Sequence, residues 1–199
     1  DGRGLWSFSP RLGIAYPISS RDVFSLAYVR VQQDPGRDYL YDTRRSISNR
    51  QPLGNPSLQP ATVISYEAAV KHLFGPTWAL QSALFFRDVW GLVGTRYVAS
   101  DGTSGASYVS IYADDDVASA IGSEWSLLYA SDSGRRLSLH YTWMQAFGTE
   151  SRPEGDPYGA VLDERATPLG AKPLSWDRRH SVLLDVTFPW KEDWLMSWS

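Results

Sequence analysis

Leu137-Ser138-Leu139-His140-Tyr141-Thr142-Trp143 decides how this chain is read. Large apolar side chains take every second position, and small or polar ones fill the gaps between them. That is the period of a strand with one apolar and one polar face. A helix would repeat its apolar residues at three and four, a spacing the chain almost nowhere shows. The alternation continues outward in both directions. Upstream, Trp125, Leu127 and Tyr129 oppose Glu124 and Ser126. Trp78, Leu80, Leu84 and Phe86 oppose Gln81, Ala83 and Arg87, with Ser82 and Phe85 each breaking the pattern once. Ile64, Tyr66, Ala68 and Val70 oppose Ser65, Glu67, Ala69 and Lys71, and Trp6, Phe8, Leu12, Ile14 and Tyr16 oppose Ser7, Ser9, Arg11, Gly13 and Ala15. Downstream, Val182, Leu184, Val186, Phe188 and Trp190 oppose Arg179, Ser181, Asp185 and Thr187. Residues 23 to 33 add a strand in which Phe24, Leu26 and Tyr28 compete with Val29 and Val31 for the apolar face, and Trp194 to Ser199 add a stub.

The pattern predicts an all-β fold, an antiparallel up-and-down meander of about eight strands. Its connections sort by length. Ser19-Ser20-Arg21-Asp22, Gly75-Pro76-Thr77, Ser131 to Arg135 and Lys191-Glu192-Asp193 are short; Asp34 to Pro60, Ser100 to Ala106 and Thr149 to Pro173 are longer. Short turns on one side and longer loops on the other are the asymmetry of an outer-membrane β-barrel, whose strands run apolar-out and polar-in. A soluble sandwich has no reason to sort its turns this way. The second face carries Ser, Thr, Gly, Ala and Gln with scattered charges, which suits a crowded wet interior better than open solvent. Because lipid leaves no backbone group unpaired, closure into part of a large barrel is expected, with Trp6, Trp78, Trp90, Trp143, Trp190 and Trp194 in two interfacial girdles.

Composition supports the same class. The 199 residues include 9 Trp, 11 Tyr and 7 Phe, and so many amphipathic rings suit a boundary that is apolar on one side and wet on the other. No run approaches the roughly 20 apolar residues of a membrane helix. A net charge of −3 without a basic run leaves no footprint for nucleic acid. The absence of cysteine excludes disulfides, thiolate zinc sites and cysteine nucleophiles, and 3 widely spaced His make a histidine metal centre improbable. No metal, cofactor or catalytic residue is expected. Asp1-Gly2-Arg3-Gly4 does not read as a signal peptide.

Several segments also resemble, in their wording, the TonB-dependent outer-membrane transporters, most of all the branch carrying a carboxypeptidase-regulatory-like domain. They are Phe8-Ser9-Pro10-Arg11-Leu12-Gly13-Ile14-Ala15-Tyr16-Pro17; Gln32-Gln33-Asp34-Pro35 followed by Tyr39-Leu40-Tyr41; Gly54-Asn55-Pro56-Ser57-Leu58-Gln59-Pro60 running into Ser65-Tyr66-Glu67; the run from Phe85 to Arg96; and Pro173-Leu174-Ser175-Trp176-Asp177-Arg178-Arg179-His180. Ala61 stands where the family usually has Glu. The resemblance implies the outer membrane of a Gram-negative bacterium, no catalysis, and import of a scarce siderophore-, oligosaccharide- or peptide-like nutrient. It also implies outer-membrane lipid, a plug domain of the same polypeptide and the TonB complex as partners. Family barrels have about 22 strands around a plugged lumen, so residues 1–199 read as a single partial barrel domain, on the C-terminal side, without its plug and truncated at both ends. The alternatives are a passive porin-like small barrel and a soluble β-sandwich carbohydrate-binding module.

Family transporters bind substrate between plug, wall and loops. Alternation turns Arg11, Glu67, Lys71, Arg87, Glu124, His140, Arg179 and Asp185 inward, and Tyr39, Tyr41 and Tyr158 are loop rings able to stack on a ligand. The plainer expectation for the inward set is pairing with one another, with the plug or with lumen water. Asp114-Asp115-Asp116 invites a calcium reading, but consecutive strand residues face opposite ways and converge poorly on one ion; a solvated strand end is expected. Ser181 and His180 face apart for the same reason and make no nucleophile–base pair; His180 reads as an interface anchor.

Overall fold

The computed structural model describes residues 8–41, 52–100, 107–149, 172–189 and 195–198. The alternating segments become β1 (Arg11–Pro17), β2 (Asp22–Gln33), β3 (Ala61–Phe74), β4 (Trp78–Ser100), β5 (Ser107–Ala130), β6 (Arg136–Gly148), β8 (His180–Pro189) and β9 (Leu195–Trp198), with the two-residue β7 (Lys172–Pro173) and one short helix, α1 (Arg37–Tyr41). They form one antiparallel sheet in the order β1-β2-β3-β4-β5-β6-β8-β9, and β7 pairs with β6. Apart from the two-residue β7, every strand lies beside its sequence neighbour, the expected meander.

Residues opposite one another across an antiparallel ladder share a face, so the register sorts the side chains. One row reads Tyr16, Phe24, Val70, Ser82, Trp125, Tyr141, Val182; the next on the same face reads Ile14, Leu26, Ala68, Leu84, Ser123, Trp143, His180. Between them on the opposite face lies Ala15, Ser25, Ala69, Ala83, Glu124, Thr142, Ser181. Ile14 is 71% exposed, Leu84 62% and Val182 66%, and no second sheet covers them among the described residues. A sandwich core is thereby ruled out for this face. From Trp78 to Asp88, where the apolar face turns polar, ten residues rise ~34 Å along the strand. A tilt near 40° reduces that to about 25 Å, the height of the lipid-facing band of a membrane barrel.

The register also settles what alternation left open. In β2, Phe24, Leu26 and Tyr28 take the apolar face, while Val29 and Val31 join the polar one. Val31, Val63, Val89 and Ala118 follow one another there, so the loop-side half of the polar face is less polar than expected. Phe85 lies on that face too, buried over Gly122, where a Cβ would meet its ring at 2.5 Å. Ring covering glycine explains the break that Phe85 makes in the pattern. Trp78 begins β4 and Trp90 lies at the far end of the band, as girdle positions should; Trp143 is a correction, since it sits inside β6 with Gly148 the strand's last residue. Trp6, Trp190 and Trp194 lie outside the described residues.

The β4–β5 hairpin is the largest departure from expectation. Its strands have 23 and 24 residues, far beyond the roughly 9–11 that cross a membrane. β3 leaves β4 after Trp90 and β6 leaves β5 after Ala118, so the remainder stands out on the long-loop side. A lone two-stranded arm is marginal in water, and this one is braced. Leu53 N donates to Ser110 O at 2.8 Å and Leu53 O accepts from Tyr112 N at 3.0 Å. Asn55 Nδ2 donates to Tyr112 O at 2.9 Å, and Gln59 N to Asp114 Oδ2 at 3.1 Å. Gly91, at φ 70°, marks the irregular register at which the arm leaves the wall.

Candidate functional site

The polar face is built in three levels. Nearest the short turns, His140 on β6 lies between Ser126 on β5 and Ser138: Nδ1 is 2.8 Å from Ser126 Oγ and Nε2 2.6 Å from Ser138 Oγ. Both ring nitrogens are thereby engaged by hydroxyls, which fixes the plane of the ring. Ser138 faces Asp185 across the ladder, and Lys71 continues the His140 row on β3. The middle level carries Glu67 on β3, Glu124 on β5 and Arg87 on β4. Arg87 lays its guanidinium 4.6 Å from the centroid of the Phe85 ring, a cation–π contact. Arg11, at the start of β1, faces Val29 in the Arg87 row.

Of the inward set, seven therefore share one face: Arg11, Glu67, Lys71, Arg87, Glu124, His140 and Asp185. They do not pair with one another among the described residues, so this wall is charged and open. Arg179 is different. It lies one residue before β8, where its Nε donates to Asp177 Oδ2 at 2.8 Å.

The third level is a chamber at the long-loop end. It measures about 340 Å³ and is lined by Gln33, Asp34, Tyr39, Gln59, Asp116 and Trp176 above Val89, Ala118 and Leu174. Two loop segments form it. In the first, α1 brings Tyr39 edge-on to Tyr112, ring centroids 5.0 Å apart. Tyr41, at the end of the same helix, is 66% exposed and outside the chamber, so the two tyrosines separate. Tyr158 lies outside the described residues. In the second, Leu174 enters a socket of small side chains, Ala118, Ala120 and Ala146, with Val89, Leu92 and Met144 around it. Leu174 N donates to Ala146 O at 3.1 Å, and Asp177 Oδ1 accepts from Ala146 N at 2.9 Å. That backbone hydrogen bond, seconded by Arg179, holds the Asp177 carboxyl below its ordinary range.

Asp114, Asp115 and Asp116 lie within β5 and not at its end, and each goes its own way. Asp114 caps Gln59 N, Asp115 pairs with Arg96 at 3.0 Å, and Asp116 accepts from Thr149 Oγ1 at 2.8 Å. His180 lies on the apolar face, its Nδ1 2.9 Å from Tyr141 Oη, and Ser181 on the polar one. Alternation alone missed Gln33, Asp34, Gln59, Asp116 and Trp176. A usable signal was present in the small residues Ala118, Ala120 and Ala146, which mark a wall hollowed to receive something.

A single sheet with a lipid-height apolar band, a charged opposite face and loops folded over one end is a section of membrane-barrel wall, and comparison with known proteins agrees. The family model described as TonB dependent receptor-like, beta-barrel matches residues 1–197. The chain belongs to the TonB-dependent receptor β-barrel family. That family comprises transporters of the Gram-negative outer membrane and not enzymes, which makes the charged face of this TonB-dependent receptor segment the lumen wall and the apolar face the lipid-facing one. Among solved structures, the outer membrane transporter YddB from Escherichia coli has a TM-score of 0.61 at 12% identity over 85% of this chain and 24% of that one. The ferric-catecholate import receptor Fiu from E. coli K12 gives 0.59 at 16% identity over 94% and 23%, and the copper transporter OprC 0.56 at 11% over 94% and 24%. The chain thus spans about a quarter of the length of these transporters, and the likeness speaks to fold alone. By sequence, none of the curated proteins matches it.

Proposed function

We propose that this chain is one section of the barrel wall of an active importer, whose plug and TonB-contacting part belong to the same polypeptide, and that the loop-side chamber is its ligand contact. The observation that carries the reading is the lining: two aromatic rings, Tyr39 and Trp176, with the amides of Gln33 and Gln59 and the carboxylates of Asp34 and Asp116, and no Lys or Arg among the described residues. Rings and hydrogen-bonding groups without cations suit a neutral or cationic ligand rich in hydroxyls or amides. Among the classes the family resemblance implies, that favours an oligosaccharide or peptide over an anionic siderophore. Arg11, Glu67, Lys71, Arg87, Glu124, His140 and Asp185 then form the polar track below the chamber, along which the ligand passes the plug.

The test is calorimetric binding of the full-length transporter to panels of neutral oligosaccharides, short peptides and ferric siderophores. Tyr39→Ala and Trp176→Ala are each expected to weaken the accepted ligand by at least tenfold, whereas Tyr41→Ala leaves it unchanged. Binding confined to anionic siderophores, or indifference to both ring removals, overturns the assignment.

A further inference from the structure

One carboxylate of the loop-side chamber is held in place from two sides. Asp116 Oδ1 accepts the Thr149 hydroxyl at 2.8 Å, and that hydroxyl in turn accepts from Val117 N at 3.1 Å. A hydroxyl has a single proton to give. Its other acceptor, Val117 O, is 3.4 Å away, so the proton goes to the carboxylate. On the other side lies Gly94 of β4. A Cβ there would collide with Asp116 Oδ2 and stand 2.7 Å from its Cγ. Gly94 is not one of the glycines at positive φ, so what it supplies is space and not backbone freedom. The irregular register between Leu92 and Gly94 brings that space to the carboxylate.

The surroundings say what a carboxylate so placed can read. Tyr39, Trp176 and Asp34 line the same chamber, with no Lys or Arg among the described residues. A ring face attracts a cation through its quadrupole, and a carboxylate adds charge-assisted hydrogen bonds. A neutral hydroxyl or amide gains less from the same carboxylate. The Thr149 contact does not exhaust Asp116, because a carboxylate offers about four acceptor sites. Placement before binding also matters, since a side chain already held loses little rotamer freedom when the ligand arrives.

We propose that Asp116 sets the specificity of the chamber, selecting a ligand that carries a primary ammonium or guanidinium group, and that Thr149 and Gly94 are its positioning residues. The inference rests on the chamber being the ligand contact. An ammonium group can come from a basic peptide or from an amino sugar, and two probe pairs that differ in charge separate the sources: trilysine against its fully N-acetylated form, and the glucosamine trimer against the N-acetylglucosamine trimer. Calorimetry on the full-length transporter is expected to show at least one charged probe bound roughly tenfold or more tighter than its neutral twin, the size of one charge-assisted hydrogen bond. Asp116→Asn should remove that preference and leave the neutral twin as it was. Gly94→Ala, which keeps the charge but moves the carboxylate, and Thr149→Val should each cut the preference several-fold, and Thr149→Ser should restore it. Asp115→Asn removes the same charge one residue away, from the pair with Arg96 outside the chamber, and should change nothing. Heat-resistant migration on electrophoresis confirms that each variant is folded. Equal binding within both pairs by the wild type, binding of neither charged probe, or an undiminished preference in Asp116→Asn overturns the proposal. Tyr39→Ala tells the two readings apart. If it weakens the neutral twins while no charge preference exists, the chamber stands and only its specificity for cations falls; if it weakens no probe, the chamber falls and this inference with it.

Discussion

Replacing Leu174 with alanine tests how the loops are held on the wall. Leu174 is 4% exposed, and three of the residues it packs against are alanines on two neighbouring strands of a rigid ladder. Large-to-small changes at such sites cost about 2–5 kcal/mol, more when the surroundings cannot collapse. Alanines fixed in a sheet have no side chain to swing into the space, so about 3–4 kcal/mol is expected here. The loss should appear as local opening and not as unfolding, because the wall strands are paired independently of this segment. At about 1.4 kcal/mol per factor of ten, that raises the open population roughly 100- to 1,000-fold. Hydrogen exchange of residues 172–177 in the micelle-bound transporter reads it directly, since Leu174 N is bonded to Ala146 O and Asp177 N to Leu174 O. An acceleration below about threefold would refute the socket as the anchor, using the same tenfold-per-1.4 kcal/mol conversion. So would a parallel rise across β5 and β6, which would mean that Leu174 holds the wall itself together.

The lipid-facing assignment predicts that Leu84→Arg, near the middle of the band, costs about 2–4 kcal/mol in urea titrations of bilayer folding, whereas Thr142→Arg on the lumen face costs little. Gly122→Val should destabilise by about 1–3 kcal/mol, read as a lower temperature for loss of the folded band on electrophoresis. An added Cβ meets not only the Phe85 ring but also the fixed Trp143 carbonyl, and Phe85→Ala should relieve only part of the loss. The lowered pKa of Asp177 fixes a pH dependence. A carboxyl with a folded pKa below its unfolded one adds stability above the unfolded value and loses it as pH falls through the folded one. Exchange protection of the Ala146 amide should therefore persist at pH 5–7 and fade only in acid below the ordinary carboxylate range of about 4, and Asp177→Ala should abolish the pH dependence.

Much of the fold was written in the period of the side chains. Leu137 to Trp143 fixes one strand and both its faces, and the sorting of turns from loops fixes the meander and the membrane. Seven of the eight inward charged or polar residues share the predicted face, because a period of two leaves them nowhere else to go. The chamber was hidden for a different reason. Tyr39 and Trp176 are separated by well over a hundred residues in the chain, and only the return of two loops over Ala118, Ala120 and Ala146 brings them to one cavity.

Binary pattern determines by itself which side of each strand meets lipid and which meets the lumen, β2 excepted, since burial in hydrocarbon acts on every residue locally. Register and loop docking it leaves undetermined, since they depend on partners distant in sequence. Only the tertiary structure could seat Leu174 among alanines, turn Val29 and Val31 to the lumen side, lay Phe85 over Gly122, and set the Asp116 carboxylate against Gly94.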